Sequence, residues 1–129
     1  MSNPNTTNVM FVTDTLYTLA NGGAARIYAT DDNPADGTTG PGGSGSNSLS
    51  YTINSVVDAT INFAMTPLNP LCTLALTNIA STGNAVTPSM GPQGWSANVQ
   101  ALATDTLTLT YYVQNSATAY TASVSVTFA

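Results

Sequence analysis

Two alternating runs near the C-terminal end constrain what this chain can fold into more than any other feature. In the first, Leu107, Leu109, Tyr111 and Val113 alternate with Thr106, Thr108, Thr110 and Tyr112. In the second, Tyr120, Ala122, Val124, Val126 and Phe128 alternate with Thr121, Ser123, Ser125 and Thr127. A period of two puts each set on its own face of a sheet, and β-branched and aromatic residues suit a half-buried pleated surface. The polar connection Gln114 to Ala119 makes the pair an antiparallel hairpin.

The remainder of the chain is compatible with more strands of the same kind. Its 129 residues suit one domain, 9–129, preceded by an extended polar arm over 1–8 that contains Pro4. Val9 to Ala20 reads as one or two short strands, with a short helical turn as the alternative. Asn21-Gly22-Gly23 is a turn, and Ala24 to Thr30 a further strand. Asp31 to Ser48 is a glycine-rich loop holding 5 of the chain's 10 glycines and no apolar residue larger than Ala or Pro, too little to offset its ordering entropy. Alternation resumes at Leu49, Tyr51 and Ile53, and again at Ile61, Phe63 and Met65. Thr66 to Pro70 is a two-proline turn. Cys72, Leu74 and Leu76 form the next strand with Ile79 near its end, Ser81 to Gly94 is loop, and Trp95, Ala97, Val99 and Ala101 lead into the hairpin. No helix of normal length has caps and a sustained apolar stripe. The expected fold is therefore all-β: a single β-sandwich of about 7–9 short antiparallel strands.

A resemblance sharpens this. Leu102 to Val113, followed by a hairpin ending Ser-Val-Ser-Val-Thr-Phe, is similar to the last two strands of immunoglobulin-like β-sandwich modules of phage and bacterial surface proteins. The likeness covers the last quarter of the chain. It departs from that pattern in lacking a cysteine pair, and Leu109 stands where the tyrosine-corner residue belongs. An eight-stranded jelly roll, as in many virion proteins, is the alternative.

Charge narrows the function classes. The chain has no Lys, Glu or His; Arg26 and six Asp leave a net charge of −5, and 5% of residues are charged, against about 25% in ordinary domains. One Arg cannot replace the counterions of a phosphate backbone or hold an anionic membrane, so neither nucleic acid nor membrane is an expected partner. Without His, and with Cys72 alone in an apolar strand, no Ser-His-Asp or Cys-His arrangement can be assembled. Cys72 is expected to be a small buried hydrophobe. No enzyme activity and no cofactor are expected. The weak metal candidates are Asp31, Asp32 and Asp36. Asp32 to Gly37 matches an EF-hand loop at its first, fifth and sixth positions but fails at Pro34 and Gly43, so a metal-free polar turn is expected. Tyr17, Tyr28, Tyr51, Tyr111, Tyr112, Tyr120 and Trp95 could stack on sugars, which leaves a glycan as a possible partner and a carbohydrate-binding module as a third function class.

The positive expectation is assembly. Sheet edges are normally guarded by Lys, Pro or bulges, and this chain has no Lys. Its outward strand faces are Thr and Ser, which neighbours can cover without burying charge. The chain is expected to be a non-enzymatic structural protein of a virion, a capsid decoration or minor capsid component on the outer surface. The alternative is a subunit of an extracellular filament or adhesin joined by strand addition. Its partners would be copies of itself or a capsid or filament lattice, met through Pro4, Tyr112, Thr121, Ser123, Ser125 and Thr127. The Met-Ser start, without a basic and apolar leader, suggests synthesis and assembly in a cytoplasm. Should the last strand lie at a sheet edge, a neighbouring chain is expected beside it.

Overall fold

A computed structural model describes residues 5–23, 25–32, 48–113 and 117–129. Nine strands and one short helix follow in the order β1 (Thr6–Thr13), α1 (Thr15–Ala20), β2 (Ile27–Asp31), β3 (Ser48–Ile53), β4 (Thr60–Pro67), β5 (Leu74–Ser81), β6 (Ser89–Gly91), β7 (Gly94–Asn98), β8 (Thr104–Val113) and β9 (Ala119–Phe128). They form two packed sheets. Sheet A has the order β2-β1-β4-β7-β6, and sheet B the order β3-β9-β8-β5. The all-β sandwich follows from the alternation, because each strand's apolar set must find a second apolar face.

The C-terminal hairpin pairs antiparallel as its sequence requires, with Leu107 opposite Val124 and Tyr111 opposite Tyr120. Leu107, Leu109, Tyr111, Val113, Val124 and Val126 are completely buried, and Phe128 and Ala122 nearly so. From sheet A, Val9, Phe11, Ile27, Ile61 and Phe63 meet them in one core. Phe11 and Phe63 lie side by side on parallel-paired strands, their rings stacked at 6.1 Å.

Two pairings are parallel, β1 with β4 and β3 with β9, where only antiparallel strands were expected. Parallel neighbours need long connections. Alternation is a local signal, and it carries no information about which distant strand lies alongside.

β1 begins at Thr6, so Thr6 to Asn8 belong to the sheet, and Thr7 is buried. Met1 to Pro4 of the proposed arm lie outside the described residues. The stretch after β1 is helical. Asp14 caps α1 by accepting from the Tyr17 N–H at 3.1 Å. The helix is then pinned from outside: Asn69 Oδ1 accepts from the Thr15 hydroxyl and the Leu16 N–H, and the Arg26 guanidinium sits 4.0 Å over the Tyr17 ring. Capping and tertiary contact override the strand propensity of Leu16 to Leu19. The Ser81 to Gly94 segment, read as loop, contains the short strand β6.

β5 carries an irregularity. Leu74 and Leu76 share a parity, and Ile79 has the other. The register shifts between Leu76 and Asn78, leaving Thr77 as the extra residue of a bulge. Leu74, Leu76 and Ile79 thereby all turn toward the core, opposite Val113, Tyr111 and Leu109.

Candidate assembly surface

Sheet B presents an outward face built almost wholly of hydroxyls. Across β3, β9 and β8 the register aligns Thr52 with Thr127 and Thr104, and Ser50 with Ser125 and Thr106. Ser123 stands opposite Thr108, and Thr121 opposite Thr110. Hydroxyls on adjacent strands bond one another, as in the 2.8 Å contact of Thr104 Oγ1 with Thr127 Oγ1. Thr52, Thr104, Thr108 and Thr121 are exposed, and Thr106, Thr110, Ser123, Ser125 and Thr127 are half-buried by their cross-strand neighbours.

Among the described residues, no charged side chain lies on this face. Asp14, Arg26, Asp31 and Asp32 belong to the β1, α1 and β2 part of the molecule. Asp58 occupies the β3–β4 turn at φ 73. Asp105 points inward and is fully buried.

Tyr112, Thr121, Ser123, Ser125 and Thr127 are thus brought together on one face, while Pro4 lies outside the described residues. Tyr112 interrupts the hydroxyls at one end, opposite Ala75 of β5 and Ala119 of β9. With Thr73, Leu74 and Ala75 it borders a hollow of about 110 Å³. Its aromatic relatives are scattered. Tyr111 and Tyr120 pack against each other at 6.1 Å, Tyr51 is buried with its hydroxyl on the Asp31 carboxylate, and Trp95 packs against the core.

The last strand is interior to its sheet. β9 is flanked by β3 and β8, so the condition attached to it, a bare terminal edge, is not met. The edge strands of sheet B are β3 and β5. Among the described residues, β5 pairs with β8 on one side and has no sheet neighbour on the other. It runs for 8 residues without a charge or a proline. Sheet A's edges are guarded by comparison: β6 is 3 residues long between Pro88 and Pro92, and β2 is bounded by Arg26, Asp31 and Asp32. The strand at Leu74 and Leu76 is legible in the alternation, but its place at the sheet edge is not, because strand order is set by long-range pairing. In the β4–β5 connection Leu68 is 49% exposed and Leu71 96% exposed.

The metal candidates separate. Asp31 is engaged by Tyr51, a contact between the two sheets. Asp32 accepts from the Asn8 N–H at 2.8 Å and from Asn8 Nδ2 at 2.7 Å, and Asn62 Nδ2 extends this chain to Asn8 Oδ1. The backbone and side-chain hydrogen bonds from Asn8 hold the Asp32 carboxyl below its ordinary pKa. Asp36 lies outside the described residues. Among those described, no three Asp, Glu, Cys or His side chains converge on a point that could hold a metal.

Asp105 has a different role, one that alternation alone could not reveal. Its carboxylate accepts from the Thr82 N–H and hydroxyl at 3.0 and 2.6 Å and from the Ala85 and Val86 N–H groups at 2.9 and 3.0 Å. Burial by itself raises its pKa. Hydrogen bonds from the Thr82 hydroxyl and the Val86, Ala85 and Thr82 N–H groups outweigh burial and hold it below the ordinary value. The carboxylate thus clamps the segment leaving β5 onto the start of β8.

No protein-family model matches the chain, and no curated protein matches it.

Proposed function

We propose that this chain is a non-enzymatic structural protein of a virion, a decoration or minor capsid component that spends its working life against copies of itself or a shell lattice. One observation carries the reading: among the described residues, the outer face of sheet B is an uncharged field of Thr and Ser hydroxyls that adjoins β5, an edge strand without a charge or a proline. Covering such a face desolvates no ion, and each hydroxyl can donate or accept as the neighbour requires. Net charge elsewhere on the molecule keeps free copies dispersed until they meet their lattice.

The strand order supports an immunoglobulin-like arrangement for β3–β9 over a jelly roll. Four strands of one sheet run β3-β9-β8-β5 and three of the other run β4-β7-β6. β6–β7 and β8–β9 are the within-sheet hairpins, and the remaining links cross between sheets. On this reading β1, α1 and β2 are an N-terminal addition beside β4.

Purified virions from cultures that express the chain test the function. The expected result is a fixed copy number per particle by quantitative mass spectrometry, with the chain released or shielded as an outer layer. Absence from purified particles overturns the proposal. The open β5 edge favours a second reading, a filament subunit; that reading predicts polymers growing from purified chain without any shell.

A further inference from the structure

We infer that β5 is a homodimerisation edge, pairing antiparallel with β5 of a second copy about a two-fold axis to make one continuous eight-stranded sheet from two copies of sheet B. The inference rests on the assembly reading above and names its first partner.

The bulge gives β5 the symmetry that self-pairing requires. A regular strand of even length alternates in, out, in, out, so its two ends face opposite ways. Paired antiparallel with itself over its full length, such a strand sets inward residues against outward ones. β5 avoids this through the extra residue at Thr77. Leu74, Leu76, Ile79 and Ser81 stand opposite core-facing residues of β8, and Ala75, Asn78 and Ala80 stand opposite outward-facing ones. The pattern of faces therefore reads the same from either end.

An isologous interface demands this property, since the same patch must complement itself. Full overlap of the 8 residues sets Leu76 opposite the partner's Ile79 and Ala75 opposite the partner's Ala80. Leu74 falls opposite the partner's Ser81. Inward side chains meet inward ones at these positions, and at the centre the bulge residue Thr77 falls opposite the partner's Asn78.

Charge and surface agree with that geometry. The protein carries −5 overall, so most surfaces of two copies repel. β5 and the outer face of sheet B beside it hold none of that charge among the described residues. Leu74 and Leu76 are only partly buried at the open edge, and a partner strand covers the side they leave open. The small side chains of Ala75 and Ala80 are both exposed and place no bulk between approaching backbones. Free N–H and C=O groups along the edge gain partners in the same step.

The test is sedimentation equilibrium of the full chain over a range of concentrations. Two double variants are compared with the parent. A75K/A80K sets like charges opposite each other at both ends of the pairing, and A75K/A80E sets opposite charges there. Both pairs of substitutions fall on exposed outward positions, and circular dichroism checks that each variant folds. The expected result is a dimer for the parent, a dissociation constant raised about tenfold or more for A75K/A80K, and recovery toward the parent value in A75K/A80E. Raised salt should narrow the gap between the two variants.

A monomeric parent overturns the inference, as does a dimer equally stable in both variants. Failure here is distinguishable from failure of the virion reading. A monomer that still occurs at fixed copy number on virions removes the β5 pairing and leaves the function. A β5 dimer absent from virions keeps the pairing and removes the function.

Discussion

Asp105→Ala is the substitution whose cost can be worked most directly from the structure. The carboxylate satisfies three backbone N–H groups and one hydroxyl of the segment after β5. Ala85 and Val86 are completely buried, so their N–H groups have no water to turn to when the acceptor is removed. An unpaired buried donor costs about 1–3 kcal/mol. Two such donors give about 2–6 kcal/mol, and partial relaxation of the segment favours a loss of about 3–4 kcal/mol. Thr82 is exposed and recovers water, so it adds little. Urea unfolding at neutral pH, followed by Trp95 fluorescence, reads the effect. With a slope of about 1–3 kcal/mol per molar urea, the midpoint should fall by about 1–3 M. Asp105→Asn is the control. Its amide turns a donor toward at least one N–H group, so it should recover only part of the loss. The sign with pH follows from the lowered pKa. The carboxylate's contribution is fully present above about pH 4, the unfolded value, and is lost as the pH falls through the lower folded value. The stability gap between parent and Asp105→Asn should therefore close in that acid range. A loss below about 1 kcal/mol for Asp105→Ala would refute the clamp.

Other substitutions probe separate links. Gly23 has φ +96, and an added Cβ would lie 3.3 Å from the Tyr120 ring, so Gly23→Ala should cost about 1–2 kcal/mol by thermal denaturation. Asp14→Ala removes the α1 cap and should cost about 1 kcal/mol, while Asp14→Asn should retain most of the stability. The Tyr111 hydroxyl is buried with no hydrogen-bond partner among the described residues; Tyr111→Phe should be neutral or stabilising by up to about 1 kcal/mol. Calcium should leave the thermal midpoint within about a degree or two, since Asp31 and Asp32 already have protein donors; a larger rise would place a cation in the Asp-rich segment.

The alternating residues from Leu107 to Phe128 determined by themselves a hairpin, its inward and outward faces, and an all-β fold, because a period of two admits no other placement. Composition likewise left Arg26 as the one Lys, Arg or His side chain in the sequence. Leu76 and Ile79, of opposite parity within one strand, both face the core only through a bulge that the structure shows. Only the tertiary structure decided which strands are neighbours. It placed β9 inside its sheet and left β3 and β5 at the edges, since hydrogen-bond partners distant in sequence leave no trace in local periodicity. It also turned Leu16 to Leu19 into helix, through a cap at Asp14 and an anchor at Asn69. Asp105 shows the same division in one residue. Its position at the head of β8 is written in the alternation, but its work depends on N–H groups of Ala85 and Val86 that reach it only when the sandwich closes.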